Sequence, residues 1–169
     1  MKQNKICCFT GHRPQKLPFG ANENDPRCLR LKNRLRHEIE RQIMKNSVAH
    51  FITGMAIGTD MYAAELVLEL KKQYPQITLE AAIPCRSQAC KWSEPLRIRY
   101  RDILSLCDKQ TLLQDAYTAD CMQNRNRYMV DCSDIIIAVW DGKPSGTGKT
   151  VRYAEECGKN IIILNPREE

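Results

Sequence analysis

Two glycine-rich segments carry the residue types of an anion site. The first, Gly54-Met55-Ala56-Ile57-Gly58-Thr59-Asp60, follows the apolar run 50–53. The second, Asp141-Gly142-Lys143-Pro144-Ser145-Gly146-Thr147-Gly148-Lys149-Thr150, follows the run 135–140. Each leads into a helix-like stretch. Backbone N–H groups freed by a glycine turn, together with the positive end of a following helix dipole, converge on one point and suit a phosphate oxygen. Two such segments in one chain point to a phosphate-bearing ligand, a nucleotide above all.

The candidate contacts follow from that chemistry. Gly54 and Gly58 would let the backbone approach the ligand, or serve conformation alone. Gly146, Thr147, Gly148 and Thr150 would form a second cradle from the N–H groups of residues 146–149 and the threonine hydroxyls. A third apolar run, 6–10, ends in Thr10, Gly11, His12 and Arg13. Arg13 is the strongest single phosphate ligand, because guanidinium matches phosphate bidentately. His12 either bonds a base or ribose or packs against its own loop. Asp60 is either an N-cap or an acceptor for a ribose hydroxyl or for Arg13. Asp141 closes the run 135–140. The Trp140 indole beside it either stacks on a base or belongs to the core. Lys149 either neutralises ligand charge or faces solvent. Cys85, after Pro84, could touch ligand, but a catalytic thiol needs a base poised beside it.

Two common phosphate motifs do not fit. A Walker A loop needs G-x-x-x-x-G-K-[ST], which would put glycine at the position held by Lys143; Gly142 is one residue too early. The segment after residue 53 reads Gly54-x-x-x-Gly58 and lacks the G-x-G-x-x-G dinucleotide fingerprint.

The elements that must hold these turns alternate along the chain. Strands are expected at 6–10, 48–53, 77–83, 110–113, 134–140 and 160–164. Helices are expected at 28–46, 60–73, 94–107, from an Asp120 cap to about 132, and at 149–157. Gly158 suits the position after the last helix. Strands alternating with helices imply an α/β fold, a Rossmann-like parallel sheet with helices on both faces and right-handed crossovers. Ligands of such sheets bind at the carboxyl ends of the strands, where the strand order reverses. The glycine turns all fall at those ends. The loop 16–27 reads as a possible lid over the site.

Composition bounds the rest. At 169 residues the chain is read as one domain. It has no apolar stretch near the roughly 20 residues that span a bilayer, and its first apolar run is too short for a signal peptide, so a cytoplasmic location without membrane association is expected. Nine cysteines and three histidines, His12, His37 and His50, show neither C-x-x-C nor metal-ligand spacing. Reduced, mostly buried thiols and no metal are expected. The net charge of +6 favours anionic partners. Much of it lies at 27–45, where Leu31, Leu35, Ile39 and Ile43 form an i+4 stripe; the basic residues read as the solvated face of that helix.

Four segments in order resemble the SLOG superfamily, the Rossmann-like group that includes DprA/Smf proteins and LOG-type phosphoribohydrolases. Residues 8–18, containing Thr10-Gly11-His12-Arg13-Pro14, are similar to the opening of its YpsA-like branch. Thr53-Gly54-Met55-Ala56-Ile57-Gly58-Thr59-Asp60 resembles the family's SGxAxGxD segment. Met122-Gln123-Asn124-Arg125 resembles its MxxR helix, and Ser145-Gly146-Thr147-Gly148 its GGxG turn. The resemblance implies a single nucleotide-binding domain over 1–169, a regulatory role and a homodimer; no cofactor is expected. It adds Arg125 and Asn126 to the expected site.

One departure bears on catalysis. LOG-type enzymes carry a catalytic glutamate three residues after the threonine that follows the turn. Here Lys149 stands at the threonine and Arg152 at the glutamate, while Glu155 and Glu156 lie a helical turn further on. Hydrolysis of an N-glycosidic bond calls for a carboxylate at the sugar, so the retained turn favours binding over hydrolysis. The alternative, a phosphoribohydrolase acting on nucleoside 5′-monophosphates, would look to Arg125 and Glu155. A second alternative is a DprA-like module for single-stranded DNA. The arginine that DprA proteins carry in the first glycine loop is here Ile57, and no basic stripe with interleaved aromatics supports nucleic-acid binding.

Overall fold

The computed structural model describes residues 3–168. Six short runs pair into one sheet: β1 (Lys5–Gly11), β2 (Val48–Thr53), β3 (Thr78–Ile83), β4 (Lys109–Leu112), β5 (Ile135–Val139) and β6 (Asn160–Leu164). Every pairing is parallel, in the order β4-β3-β2-β1-β5-β6. The helices α1 (Pro26–Asn46), α2 (Thr59–Lys71) and α3 (Glu94–Leu106) follow strands that step from β1 towards β4. Their apolar residues share one core with Cys7, Phe9, Phe51, Leu79 and Ile137. The helices α4 (Cys121–Asp131) and α5 (Gly146–Glu156) serve the return to β5 and the step to β6. They pack on the opposite face, against Cys8, Ile52, Ala82 and Ile136. A single crossover hand requires that division. The strand order reverses between β1 and β5, so the gap at their carboxyl ends is where a parallel sheet accepts ligand.

Local chemistry sets the boundaries. Asp25 caps α1 by accepting the Arg27 N–H at 2.8 Å, with Pro26 in the first turn. Leu31, Leu35 and Ile39 are buried to within 2% of complete, each contributing roughly 1.5–3 kcal/mol. The basic outer face of α1 is largely paired within the protein: Arg36 with Glu69, Arg41 with Glu38, Arg27 with Asp25. That arrangement agrees with a solvated face.

Three local expectations are corrected. α2 starts at Thr59 with Gly58 as its cap residue, so Asp60 lies inside the first turn and is not the N-cap. Gly58 has φ +95°, and an added Cβ would lie 2.9 Å from the His12 carbonyl. α5 starts at Gly146, three residues before the expected start, because Ser145 caps it by accepting the Gly148 N–H at 3.0 Å. Asp120 precedes α4 without capping it; its carboxylate accepts instead from the Thr118 hydroxyl at 2.7 Å.

The loop between β1 and α1 is no free lid. Leu17 and Phe19 are buried in the core. Glu23 pairs with Arg99 at 2.6 Å and with Lys32 at 2.6 Å. These contacts fasten the loop to α3 and α1. The nine cysteines are free thiols, five of them buried, and no helix among the described residues is long and apolar enough to cross a membrane.

The half of the sheet beside α4 carries a polar cluster. Glu80 of β3 is 2% exposed and accepts from His50 Nε2 at 2.7 Å, Thr111 Oγ1 at 2.6 Å and Tyr128 OH at 2.7 Å. Burial works to raise the Glu80 carboxyl, but these donors outweigh it and hold it at about 2 against an ordinary 4.5. A folded-state value below the unfolded one contributes stability that is present above the unfolded value and lost as pH falls through the folded value. Stability should therefore drop between about pH 4.5 and about pH 2. Urea denaturation across that range should show a shallower pH slope for Glu80→Gln than for wild type; equal slopes would contradict the assignment.

Candidate functional site

The gap between β1 and β5 opens into a cleft of about 290 Å³. Its walls come from three strand ends and two helices. Thr10, Gly11, His12, Arg13 and Lys16 come from the end of β1 and the turn beyond it. Ala56 and Asp60 come from the β2–α2 turn, Met122, Arg125 and Asn126 from α4, and Ser145, Gly146 and Thr147 from the start of α5. Sequence positions from 10 to 147 thus converge because every contributing loop follows a parallel strand.

Arg125 is the unusual member. It is 3% exposed, and its Nη1 donates to the Gly54 carbonyl while its Nε donates to Asn126 Oδ1 at 2.8 Å. Among the described residues no carboxylate forms an ion pair with it. Burial therefore draws Arg125 down from its ordinary value, with the charge of nearby Asp60 opposing and that of Arg13 adding to the effect. A buried cation without a bonded counter-charge is costly unless an anion joins it. Arg13 is exposed and unpaired among the described residues.

Among the described residues Asp60 is the one carboxylate in the cleft wall. Burial pushes it up from its ordinary value; Arg125 and the Ala56 N–H, which donates to Oδ2 at 3.2 Å, offset only part of this. Three cations, Arg13, Lys16 and Arg125, thus face one acid. The axis of α5 adds the partial positive charge of its N-terminus.

The glycines have distinct tasks. At Gly54 a Cβ would lie 2.7 Å from the Arg125 guanidinium, so the missing side chain makes room for that arginine. The Gly54 carbonyl also accepts from Gln88 Nε2 at 2.9 Å, and Gln88 in turn accepts from Tyr100 OH at 3.0 Å. At Gly11 a Cβ would lie 2.4–2.6 Å from the Thr59 side chain, whose hydroxyl donates to the His12 carbonyl at 3.0 Å. Gly11 and Gly58 thereby lock the β1 loop onto the start of α2. Around Gly146 a Cβ would meet nothing within 4 Å, leaving that backbone open to the cleft.

Other expected contacts are otherwise engaged. His12 is 2% exposed, and its Nε2 lies 2.9 Å from Asp141 Oδ1, donating when it carries the ring proton. Asp141 also accepts from the Lys143 N–H and from Arg167 Nε, each at 3.2 Å. Burial works to raise its carboxyl, but these donors, His12 first, hold it well below the usual range. Asp141 therefore joins β1, β5 and the chain after β6, and does not line the cleft. Trp140 donates its indole N–H to the Lys143 carbonyl at 2.8 Å and packs against Gly148. The Gly148 N–H is taken by Ser145 and the Lys149 N–H by the Ser145 carbonyl. Only the Gly146 and Thr147 N–H groups of the expected cradle remain unpaired among the described residues. The Thr150 hydroxyl bonds back to the Gly146 carbonyl at 3.1 Å. It faces a second cleft, a groove of about 400 Å³ between α4 and α5 that also holds Lys149, Arg152 and Glu156. Glu155 is exposed and lines neither cleft. Sequence reading missed Ala56, Lys16, Gln88 and Tyr100. Ala56 and Lys16 lie inside the family-like segments without having been singled out there; Gln88 and Tyr100 have no motif and are placed by the packing of their loop and helix.

The YpsA family model, described as the YspA SLOG family, matches residues 7–164. The chain belongs to that family. The uncharacterised SPbeta prophage-derived protein YoqJ of Bacillus subtilis is 35% identical over 156 residues, covering 84% of this chain and 91% of the relative. A UPF0398 protein of Brevibacillus brevis is 32% identical over 145 residues, 83% of this chain and 74% of the relative. Among solved structures, DNA processing protein A (DprA) from Helicobacter pylori, described with a single-stranded DNA binding mode, aligns with a TM-score of 0.61 at 18% identity. DprA from Streptococcus pneumoniae aligns at 0.63 and 14%. This chain is covered to 95% and 96% but spans only 65% and 50% of those DprA chains. The likeness shows a shared fold.

The interlocked loops make a stability prediction. Gly11→Ala places a methyl against Cβ of Thr59, close to the α2 backbone, so the helix start must move. A loss of about 1–3 kcal/mol is expected from such overpacking, read as a lower denaturation midpoint. Gly54→Ala meets the far end of the Arg125 side chain, which would have to leave the Gly54 carbonyl without any shift of backbone, and should cost less. If the two variants lose equally, the distinction between a clash at the root of a side chain and one at its far end is wrong.

Proposed function

We propose that this SLOG family member binds a nucleotide or nucleotide-derived small molecule, holding its phosphate in the cleft at the carboxyl edge of the sheet. The observation that carries this is Arg125: a guanidinium 3% exposed, without an ion-pair partner among the described residues, facing the same space as an unpaired Arg13. Both guanidinium groups offer planar N–H pairs to phosphate oxygens. The Gly146 and Thr147 N–H groups and the Thr147 and Thr10 hydroxyls supply further donors. The role is regulatory: ligand occupancy is the signal, and the homodimer implied by the family resemblance belongs to the same proposal.

Two features weigh against hydrolysis. Arg152 takes the place of the LOG-type glutamate, and Glu155 faces away from both clefts. Among the described residues the sole acid at the cleft is Asp60, which accepts the Ala56 N–H and lies near Arg125. Base release from a nucleoside 5′-monophosphate would have to run through it. A second reading, single-stranded DNA as the ligand, draws on the fold shared with DprA; it predicts strongly salt-dependent binding with little response to mononucleotides.

A thermal-shift screen with mono-, di- and cyclic nucleotides, NAD and ADP-ribose derivatives tests the proposal, since a ligand selective for the native state raises the melting temperature by mass action. The expected outcome is a shift with at least one phosphate compound. Arg13→Ala should then weaken that binding by about 1.5–3 kcal/mol, the range for a charged hydrogen bond, or roughly ten- to more than a hundredfold. Following base release from the same compound separates sensor from hydrolase. A panel without any shift, or a shift unaffected by Arg13→Ala, would overturn the reading.

A further inference from the structure

The α4–α5 groove carries charge that the phosphate cleft does not use. Among the described residues Arg127, Lys149 and Arg152 line it against one carboxylate, Glu156. None of the three cations has a salt bridge among the described residues. Arg127 lies over the Tyr153 ring at 5.2 Å, which holds its guanidinium at the groove wall. Lys149 and Arg152, three residues apart, share one helix face, where like charges repel modestly. A bound anion would relieve that repulsion.

The groove adjoins the phosphate cleft. Met122, Asn126 and Gly146 line both. At this junction the backbone is open beside Gly146. Asn126 spends its carbonyl oxygen on Arg125, leaving its amide N–H groups without a partner among the described residues.

We propose that the α4–α5 groove is a second anionic subsite, and that the ligand carries two phosphate groups separated by a nucleoside unit. The inference rests on the phosphate-binding reading above and narrows its ligand. Helical rise places Lys149 about 4.5 Å and Arg152 about 9 Å along the axis from Gly146. The two phosphorus atoms of a diphosphate share a single bridging oxygen and lie close together, whereas phosphates on the 5′ and 3′ positions of one nucleoside are separated by the sugar. The wider separation suits one phosphate in the cleft and one in the groove, with the sugar beside Gly146 and Asn126. A free nucleoside bisphosphate and a short strand of nucleic acid present the same chemistry.

Calorimetric titration at low ionic strength tests this with adenosine 5′-monophosphate, adenosine 5′-diphosphate, adenosine 3′,5′-bisphosphate, and 5′-phosphorylated deoxyadenosine di- and octanucleotides. In the wild type the 3′,5′-bisphosphate should bind at least about tenfold tighter than the 5′-diphosphate, which has the same number of phosphates and one ionisable proton fewer. The Lys149→Ala/Arg152→Ala double variant should bring that ratio down to about one. Both side chains are exposed and have no salt bridge among the described residues, so circular dichroism should find the variant folded. A wild-type ratio near one, or an undiminished ratio in the variant, overturns the subsite. If monophosphate binding still depends on Arg13 in that case, the phosphate cleft stands alone. Failure of every probe to bind overturns both. An octanucleotide no tighter than the dinucleotide supports the subsite with a small ligand; a progressive gain with length supports it with a strand.

Discussion

Parallel pairing sends every loop that follows a strand to the same edge of the sheet, and the reversal between β1 and β5 leaves a gap there. Helices α1 to α3 cover one face and α4 and α5 the other. Neither group fills the space above the two central strand ends. The β1 loop, the β2–α2 turn and the start of α5 border it because topology leaves them no other place. The site's composition is then decided by what those three loops present.

Arg125 shows how packing and chemistry meet at that gap. Its side chain reaches from α4 into the space left by Gly54, on a carbonyl steadied by Gln88 and Tyr100. Tyr128, one turn further along α4, is anchored on Glu80 of β3. The helix is thus held from the sheet on one side and from the β2 turn on the other. A guanidinium fixed in this way is ready for an anion without reorganisation, which reduces the cost of binding. The rigidity extends to the β1 loop, tied to β5 through His12 and Asp141 and to α2 through Thr59.

These ties separate residues that hold the site from residues that face it. Gly54, Gly58, Gly148, His12 and Asp141 belong to a motif-rich sequence, yet their atoms are spent on the protein itself. Arg13, Arg125, Gly146 and Thr147 keep donors available to the cleft. A glycine-rich turn therefore signals close approach without saying what approaches. At Gly54 it is the protein's own arginine.

The sequence by itself determined the order of strands and helices, because apolar runs, glycine turns and the i+4 stripe of Leu31, Leu35, Ile39 and Ile43 are local patterns. β2 and β6 have the boundaries expected from their residues, and the α/β class follows from alternation. The ordered motifs also identified the family. Local pattern could not fix the first turn of α2, where a hydrogen bond to the distant β1 loop decides between loop and helix; at α5 the deciding Ser145 cap is local and could have been read. Nor could it show that the loop after β1 is fastened by Phe19 and by Glu23 to Arg99, 76 residues away. Only the tertiary structure decided which polar groups pair with one another and which remain open, because that depends on contacts between segments far apart in the chain.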